Sequence, residues 1–266
     1  MSLPAPSLDT VVVVTGASSG IGAELSRQLA ALGHDLVVVA RRQDRLEALA
    51  EQLRRQHGVT VLVTPADLSK AAARKRLVQA LRTSEKTVVG LCNNAGFGTF
   101  GRVLELDPRR EAEMVALNVT AVHELTLAFV PAMVERRAGA ILNVASLAAF
   151  QPLPDMATYA ATKAFVQSFS EALHAELAGT GVSCTTLCPG PSPTEFGAVS
   201  GSADSEWMLS FASVAPEDVV SAAVRGMLRG RRSVIPGVAP KALAAGGRLA
   251  PRSVLLPAAR KALSRR

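Results

Sequence analysis

One stretch near the amino terminus decides the fold, and it reads Val11-Val12-Val13-Val14-Thr15-Gly16-Ala17-Ser18-Ser19-Gly20-Ile21-Gly22. Four consecutive valines are typical of a strand that is buried on both faces. A helical periodicity follows the glycines over residues 21–32. Glycines at such a point permit positive φ angles and let backbone N–H groups approach a phosphate. The stretch therefore predicts a mononucleotide-binding turn. Its candidate residues are Gly16, Ser18, Ser19, Gly20, Ile21 and Gly22.

The same strand-and-helix unit recurs along the chain. Apolar runs predict further strands at 36–40, 59–64, 88–92, 140–145, 182–187 and 233–235. Periodic segments predict helices at 44–56, 71–81, 111–134, 159–177 and 216–228. This alternation predicts a three-layer α/β fold, with helices on both faces of a doubly wound parallel sheet. We expect one Rossmann-like dinucleotide-binding domain over residues 1–237 and a basic extension over 238–266.

Composition sets limits on the class of protein. With 266 residues, of which 48% are hydrophobic and 19% charged, the chain differs from disordered proteins. Cys92, Cys184 and Cys188 lack CxxC spacing, which indicates buried, reduced thiols in the cytoplasm. The four histidines form no HExxH motif or Cys/His cluster, so no metal site is expected. We also find no signal peptide and no apolar run of about 18 residues that could cross a bilayer.

The formal charge of +7 is distributed unevenly. Ten of the 29 basic residues and none of the 22 acidic residues lie in 229–266, so the rest of the chain carries −3. Two roles stay open for this basic tail, whose four prolines interrupt any long helix: peripheral contact with an anionic membrane, or a solvated or subunit-packing extension. Because the main body is mildly acidic and shows no DNA-reading module, we expect no specific nucleic-acid partner.

The second predicted strand ends in two arginines, Arg41 and Arg42. In dinucleotide-binding folds this position lies beside the adenosine ribose, where a carboxylate accepts from a 2′-hydroxyl and a cation binds a 2′-phosphate. Asp44 comes too late to stand at the turn itself. Guanidinium groups bind phosphate through charge-assisted hydrogen bonds. We therefore expect NADP(H) to be preferred over NAD(H), although either arginine could simply belong to a solvated turn.

Tyr159 and Lys163 are four residues apart, on one face of a predicted helix. A phenol has an ordinary pKa near 10, and a neighbouring cation stabilises its charged form and lowers that pKa. Ser146 ends the fifth predicted strand and could contact the same substrate oxygen. The three residues could equally be a packed aromatic, an exposed lysine and a serine in a turn.

Taken in order, these and further motifs identify the family that the chain resembles. The segment 15–22, Asp67 with Leu68, the segment 93–96, Asn118, Ser146, Tyr159 with Lys163, and Pro189-Gly190 leading to Thr194 are all correctly spaced. The chain resembles the short-chain dehydrogenase/reductase family over residues 11 to about 230. The resemblance does not cover the basic tail.

The resemblance implies hydride transfer between a nicotinamide cofactor and a carbonyl or secondary alcohol. It implies that Tyr159 exchanges the proton with the substrate oxygen and that Ser146 hydrogen-bonds that oxygen. It further implies that Lys163 lowers the pKa of the tyrosine and holds the nicotinamide ribose. Asn118 would support a water-linked proton path to Lys163.

The resemblance also implies positions for the cofactor. Asp67 would lie by the adenine, Asn93 and Gly96 by the adenosine side, and Thr194 by the carboxamide. Further cofactor-binding candidates are Leu68, Ala95, Pro189, Gly190 and Ser192. Two departures limit this transfer. Ser192 stands where relatives often have Val or Ile, and Pro193 has no N–H to donate. The pair Ser18-Ser19 lacks the basic residue that many NADP-preferring relatives carry there.

The substrate is less well specified. The pocket segments 97–100, 147–156 and 191–207 are rich in apolar side chains, which predicts a lipophilic ketone, alcohol or acyl derivative. Reduction of a 3-oxoacyl thioester is a narrower alternative. A non-catalytic nucleotide sensor or nucleic-acid-binding protein on the same scaffold is an alternative of a different class. By analogy, the helices on either side of the fifth strand pair subunits, so we expect a homodimer or homotetramer.

Overall fold

The computed structural model describes residues 3–201 and 212–263. In this part of the chain, seven parallel strands form one sheet in the order β3-β2-β1-β4-β5-β6-β7. The strands are β1 (Thr10–Thr15), β2 (Leu36–Ala40), β3 (Val61–Pro65), β4 (Thr87–Asn93), β5 (Gly139–Val144), β6 (Val182–Leu187) and β7 (Ser233–Val234). The strand order reverses between β1 and β4, which is where doubly wound sheets open a ligand crevice.

Helices connect the strands and cover both faces of the sheet. They are α1 (Gly20–Ala31), α2 (Gln43–His57), α3 (Ala71–Arg82), α4 (Pro108–Val115), α5 (Val122–Glu135), α6 (Ala157–Glu176), α7 (Phe196–Ser200), α8 (Pro216–Leu228), α9 (Val238–Leu249) and α10 (Arg252–Leu263). A π-helical turn (Ala116–Ala121) joins α4 to α5, and a 3₁₀ turn (Leu147–Phe150) follows β5. The predicted three-layer α/β fold is confirmed.

Alternating side chains of β1 divide the core into two layers. Val12 and Val14 belong to the cluster that α1, α2 and α8 cover, whereas Val11 and Val13 belong to the cluster under α3, α5 and α6. All four valines are buried. Because both faces of the strand are covered, its sequence is continuously apolar rather than alternating.

The long helix predicted over 111–134 differs from the observed one. It begins at Pro108 and contains the π-helical turn, in which Asn118 is buried. A π turn inserts a residue into the helical repeat and is frequent at functional sites, and the periodicity of the sequence does not reveal it.

By length and composition alone, the continuous helix Pro108–Glu135 could also cross a membrane, contrary to the sequence expectation. In the fold, its residues Leu125, Phe129 and Met133 instead pack into the core under the sheet.

The basic tail forms two helices separated by Ala250 and Pro251. Helix α9 packs on the body, because Pro240 and Ala244 are buried and Gly247 lies against the backbone of Phe150. Helix α10 is largely exposed and contains Pro257. Pro251 thus separates the two helices as expected, whereas Pro240 and Pro257 lie within α9 and α10 and do not interrupt them.

Candidate active site

The turn after β1 is held by side chains at the end of β4. The Oγ1 of Thr15 accepts hydrogen bonds from the backbone N–H groups of Asn94 and Ala95, both at 3.0 Å. The Asn94 amide donates to the backbone oxygens of Thr15 and Gly16 at 2.9 and 3.3 Å. A Cβ atom at Gly22 would lie 2.2 Å from the oxygen of Gly16. The predicted glycine turn therefore closes against the switch point of the sheet.

The turn fits a dinucleotide pyrophosphate. Gly16 and Gly20 have φ angles of +68° and +52°, which residues other than glycine rarely adopt. Ser19 precedes α1 but makes no capping hydrogen bond to it, so the first N–H groups of the helix have no side-chain partner within the described residues. Uncapped N–H groups and the helix dipole form an anion site. Ile21 packs against the core and anchors this first turn.

Arg42 supplies the positive charge that the glycine turn lacks. Its guanidinium donates to the Oγ of Ser18 at 3.0 and 3.2 Å and to the Oγ of Ser19 at 2.8 Å. It also forms an ion pair with Glu195, with Nη1 and Oε2 2.8 Å apart. A guanidinium from the end of β2 thus replaces the basic residue missing at Ser18-Ser19. The second predicted arginine, Arg41, is exposed on the same turn.

Asp67 lies on the turn after β3, beside Leu68, which is buried. Its Oδ1 accepts hydrogen bonds from the backbone and hydroxyl of Ser69 at 3.1 and 2.8 Å. Burial by itself would raise the pKa of Asp67, but these hydrogen bonds and the charge of Arg41 bring it below its usual value. The buried guanidinium of Arg74 donates to the backbone oxygens of Leu68 and Ser69, so the turn is held from below.

Tyr159 projects from the first turn of α6 and is buried. Burial raises the pKa of its phenol to about 12, and the hydrogen bond with Ser146 opposes that rise. The sequence had predicted a lowered pKa, so the direction is reversed in this structure. The reason is desolvation, because the phenol is buried. The Lys163 nitrogen lies 5.8 Å from the centroid of the tyrosine ring and donates to the backbone oxygen of Val144.

Lys163 is buried one helical turn after Tyr159, as the spacing predicts. Its Nζ donates to the backbone oxygen of Val144 at 2.9 Å. Burial lowers its pKa to about 8. A Cβ atom at Gly96 would lie 3.4 Å from this nitrogen and 2.9 Å from the Oδ1 of Asn118, so glycine leaves room for both side chains.

Asn118 is placed by the π-helical turn. Its Nδ2 donates to the backbone oxygen of Phe97 at 2.9 Å and to the Oγ1 of Thr162 at 3.1 Å, and its Oδ1 accepts from the N–H of Phe97. These bonds tie the loop after β4 to the helix that carries Tyr159 and Lys163. The structure therefore brings Asn118, Ser146, Tyr159 and Lys163 to one place, as the sequence predicted.

The loop after β6 borders the other side of the site. The oxygen of Pro189 accepts from the N–H of Leu147, and a Cβ atom at Gly190 would lie 3.2 Å from Pro240 of α9. Ser192 donates through its hydroxyl to the oxygen of Val214 at 2.7 Å. Thr194 lies against the glycine turn, since a Cβ atom added at Gly20 would be 3.2 Å from the Cβ of Thr194. Trp207, which ends the predicted pocket segment, lies outside the described residues.

Asn93 occupies a different position from its neighbours. Its amide is buried and donates to Thr126 at 3.1 Å and to Asn143 at 2.9 Å, and Asn143 in turn donates to Ser170. This polar chain links β4, β5, α5 and α6 beneath the site. The side chain of Asn93 therefore supports the sheet, while Asn94 contacts the glycine turn.

An apolar wall surrounds the phenol. The rings of Tyr159 and Phe196 have centroids 5.3 Å apart, and Phe196 follows Glu195 directly. The wall consists of Phe97, Met114, Ala148, Met156 and Ala160, with Phe100, Leu117, Leu153 and Phe196 packed against them. The predicted apolar pocket segments thus meet at Tyr159.

Sequence reasoning missed several residues that organise the site. Thr15 and Asn94 lie within the glycine and 93–96 motifs, but the sequence alone does not indicate a role for their side chains. Arg45 follows Arg42 by one helical turn and also contacts Glu195. Nothing in the sequence pairs Glu195 with an arginine some 150 positions away, since only the folded chain brings them together.

The three cysteines are free and buried, as predicted. Burial raises the pKa of each of the three thiols to about 12. In residues 3–201 and 212–263, no group of three or more His, Cys, Asp and Glu side chains is placed to hold a metal.

Among solved structures, the chain is similar to a protein that was solved with a bound cofactor. A short-chain dehydrogenase from Sphingobium yanoikuyae, in complex with NADPH, superimposes with a TM-score of 0.81 and 34% identity. The match covers 93% of this chain and 95% of that one.

Curated relatives have related activities. The NADP-dependent 3-hydroxy acid dehydrogenase YdfG of Salmonella typhi is 34% identical over 223 residues, 80% of this chain and 86% of that protein. The very-long-chain 3-oxoacyl-CoA reductase of Anas platyrhynchos is 32% identical over 226 residues, 82% of this chain and 69% of that protein. The match to the short chain dehydrogenase MYCFIDRAFT_6125 of Pseudocercospora fijiensis spans only 60% of that relative's length, at 35% identity.

The family model described as short chain dehydrogenase matches residues 10–204. That range contains the glycine turn, the two arginines that follow β2, and the candidate residues Ser146, Tyr159 and Lys163. The chain therefore belongs to the short-chain dehydrogenase/reductase family of NAD(P)-dependent oxidoreductases.

Proposed function

We propose that the protein is an NADP(H)-dependent oxidoreductase that interconverts a lipophilic carbonyl compound and its secondary alcohol, with Tyr159 as general acid and base. The observation that carries this proposal is the burial of Tyr159, in contact with Ser146, inside an apolar wall. Ligand sites are typically apolar with a few convergent polar groups. NADP(H) would supply or accept the hydride, held by the glycine turn and the carboxyl ends of β2, β4 and β6.

Each polar side chain has a separate task. The hydroxyl of Tyr159 donates a proton to the carbonyl oxygen in reduction and accepts it in oxidation. Ser146 hydrogen-bonds the same oxygen and orients the phenol. Lys163 binds the nicotinamide ribose hydroxyls, and Asn118 supports its proton path. Since burial keeps the phenol protonated, the site as it stands suits proton donation, which is the direction of carbonyl reduction.

Preference for NADP(H) over NAD(H) rests on Arg42. Its guanidinium lies on Ser18 and Ser19 of the glycine turn, and residues 40–43 after β2 include no Asp or Glu. A cation at this point binds a 2′-phosphate and offers nothing comparable to a 2′-hydroxyl. Relatives named for NADP or solved with NADPH agree with this proposal.

The proposal is tested by screening lipophilic ketones and alcohols with both cofactors while following nicotinamide absorbance. Turnover should be found with NADPH and should fall by about a thousandfold or more in Tyr159→Phe, because general acid catalysis by a positioned group contributes about 10²–10⁴-fold. Retained NADPH binding by that variant serves as the control for folding. Unchanged turnover in a folded Tyr159→Phe variant would show that the catalytic assignment is wrong.

A 3-oxoacyl thioester is the narrower alternative for the substrate. The relative from Anas platyrhynchos is named for that activity, and an acyl chain would suit the apolar wall around Tyr159. Including 3-oxoacyl thioesters of increasing chain length in the same screen separates the two candidates. Since the family is enzymatic, the alternatives of a nucleotide sensor and a nucleic-acid-binding protein lose their support.

We further propose how the chain is arranged in the cell. Residues 1–237 form the cofactor-binding and catalytic unit, and 238–266 form a basic extension. Three free, buried cysteines support a cytoplasmic location. Exposed Leu127 and Phe165 on α5 and α6 support a homodimer or homotetramer that pairs these helices. The exposed cations of α10, together with exposed Val254 and Leu256, support peripheral contact with an anionic membrane.

A further inference from the structure

Glu195 joins two cations at the place where a 2′-phosphate is expected. Its Oε2 lies 2.8 Å from Nη1 of Arg42, and its Oε1 accepts from Nη1 of Arg45. Each carboxylate oxygen thus has its own guanidinium. Arg42 holds Ser18 and Ser19 at the same time, so one anion sits at the edge of the glycine turn.

The three side chains come from separate parts of the chain. Arg42 and Arg45 belong to the amino-terminal end of α2, whereas Glu195 lies in the loop after β6. The contact is not a local helical ion pair, since about 150 residues separate its partners. It therefore joins the loop on the substrate side to the ribose end of the proposed cofactor site.

The neighbours of Glu195 show what the contact holds in place. Thr194 lies against Gly20 of the glycine turn. Phe196 packs on the ring of Tyr159. A Cβ atom added at Gly98 would lie 2.8 Å from the Cζ of Phe196. Residues 194–196 thus extend from the arginine pair to the phenol.

We infer that Glu195 is an internal competitor for the 2′-phosphate of the cofactor, and that Arg42 and Arg45 together form the site for which the carboxylate and the phosphate compete. The inference rests on the proposed preference for NADP(H) and deepens it. A carboxylate and a phosphate oxygen bind a guanidinium through the same charge-assisted geometry, and two anions on one guanidinium pair repel each other. Binding of a 2′-phosphate therefore releases Glu195 and, with it, the contact of the 194–196 segment to α2.

The test compares two nucleotide probes that differ only in the 2′-phosphate. Adenosine 2′,5′-bisphosphate and adenosine 5′-monophosphate are titrated into the full-length protein by calorimetry, without nicotinamide and without turnover. Glu195→Gln should bind the bisphosphate roughly three- to tenfold more tightly than the wild type, because two exposed ion pairs of modest strength no longer have to be broken. Its affinity for the monophosphate should stay unchanged.

A charge-preserving variant separates competition by contact from long-range repulsion. Glu195→Asp keeps the negative charge but is one methylene too short to hold both guanidiniums, so it should also bind the bisphosphate more tightly. If only Glu195→Gln gains affinity while Glu195→Asp behaves as the wild type, the effect is long-range charge and the inference is wrong. Weaker binding of both probes by Glu195→Gln would also overturn it, since the loop would then be a clamp on the nucleotide.

The arginines distinguish this inference from the proposed function. Arg42→Ala and Arg45→Ala should each reduce the preference for the bisphosphate over the monophosphate, and Glu195→Gln should have no further effect in the double variant Arg42→Ala/Arg45→Ala. If the wild type shows no preference for the bisphosphate, the proposed NADP(H) preference fails. If the preference exists and depends on Arg42 but not on Glu195 or Arg45, only the inference about Glu195 fails.

Discussion

The ammonium nitrogen of Lys163 donates a hydrogen bond to the backbone oxygen of Val144 at 2.9 Å, which ties helix α6 to the last residue of β5. Tyr159 lies one helical turn before Lys163, and Ser146 lies two residues after Val144. One hydrogen bond thus fixes the distance between the two elements that carry the proposed proton donor and its partner. Burial is the main cause of the pKa shift of both groups, since it raises the pKa of the Tyr159 phenol and lowers that of the Lys163 ammonium.

The phenol of Tyr159 should titrate late in the protein without ligand. Burial raises its pKa to about 12, and Tyr159 is the only tyrosine of the chain. Absorbance of the phenolate near 295 nm should therefore remain low until about pH 12. Addition of NADP⁺ should move the transition to lower pH, because a bound cation stabilises the phenolate. A transition below pH 10 without ligand would contradict the expected role of burial.

Lys163 should make the protein more stable as the pH rises from 8 to 10. Burial lowers its pKa in the folded protein to about 8, while the unfolded chain keeps the ordinary value of 10.5. Between these values the unfolded state binds more protons at this residue, so Lys163 contributes a rise in the free energy of unfolding with pH. Above pH 9 the three buried thiols oppose this rise, because burial raises their pKa from 9.0 to about 12. In Lys163→Met this rise should be absent. Urea unfolding at pH 7, 8, 9 and 10 measures it, and equal slopes in the two proteins would contradict the prediction.

Gly22→Ala should destabilise the glycine turn. The new Cβ atom would lie 2.2 Å from the oxygen of Gly16 and 2.4 Å from the Nδ2 of Asn94, so the backbone must move. We expect a loss of about 2 kcal/mol or more in the free energy of unfolding, and a loss of nucleotide binding. Gly246→Ala in α9 is the matched control, because no atom lies within 4 Å of its added Cβ. Equal effects of the two substitutions in thermal unfolding would refute the packing argument.

Leu127→Glu should dissociate the proposed oligomer. Leu127 lies on α5 and is 49% exposed, and Phe165 on α6 is 38% exposed and stacks on Phe169. A charged side chain buried in an apolar contact between subunits loses its hydration, which weakens the association of the subunits. Light scattering after size exclusion should give the monomer mass. Leu104→Glu, at a site that is 91% exposed and outside these helices, should leave the mass unchanged.

Removal of residues 251–266 should abolish binding to anionic vesicles. This truncation deletes α10 with Arg252, Arg260 and Lys261 but keeps α9, which packs beside Phe150 and Gly190. The full chain should sediment with phosphatidylglycerol vesicles at low salt, less so at high salt, and not with phosphatidylcholine. Undiminished sedimentation of the truncated protein would exclude α10 as the membrane contact.

Local sequence patterns were sufficient to predict the seven strands and most of the helices that connect them. The valine run of β1 and the glycines after it determine a buried strand and a tight turn through nearest-neighbour chemistry. The four-residue spacing from Tyr159 to Lys163 determines that both lie on one helix face. The π-helical turn at Asn118 could not be predicted in this way, because helical periodicity carries no signal for an inserted residue. In the fold, the Asn118 amide of this turn donates to Phe97 and Thr162, which are remote in the chain.

The sequence by itself determined the buried first strand, the glycine turn after it, and the placement of Tyr159 and Lys163 on one helix face, because each depends on residues that are close in the chain. Only the tertiary structure decided which charges meet and which groups are buried. It placed Glu195 on Arg42, moved Asn93 into the core beside Asn143, and reversed the expected direction of the pKa of Tyr159. Ion pairing and desolvation depend on distances between remote segments, and those distances exist only once the chain has folded.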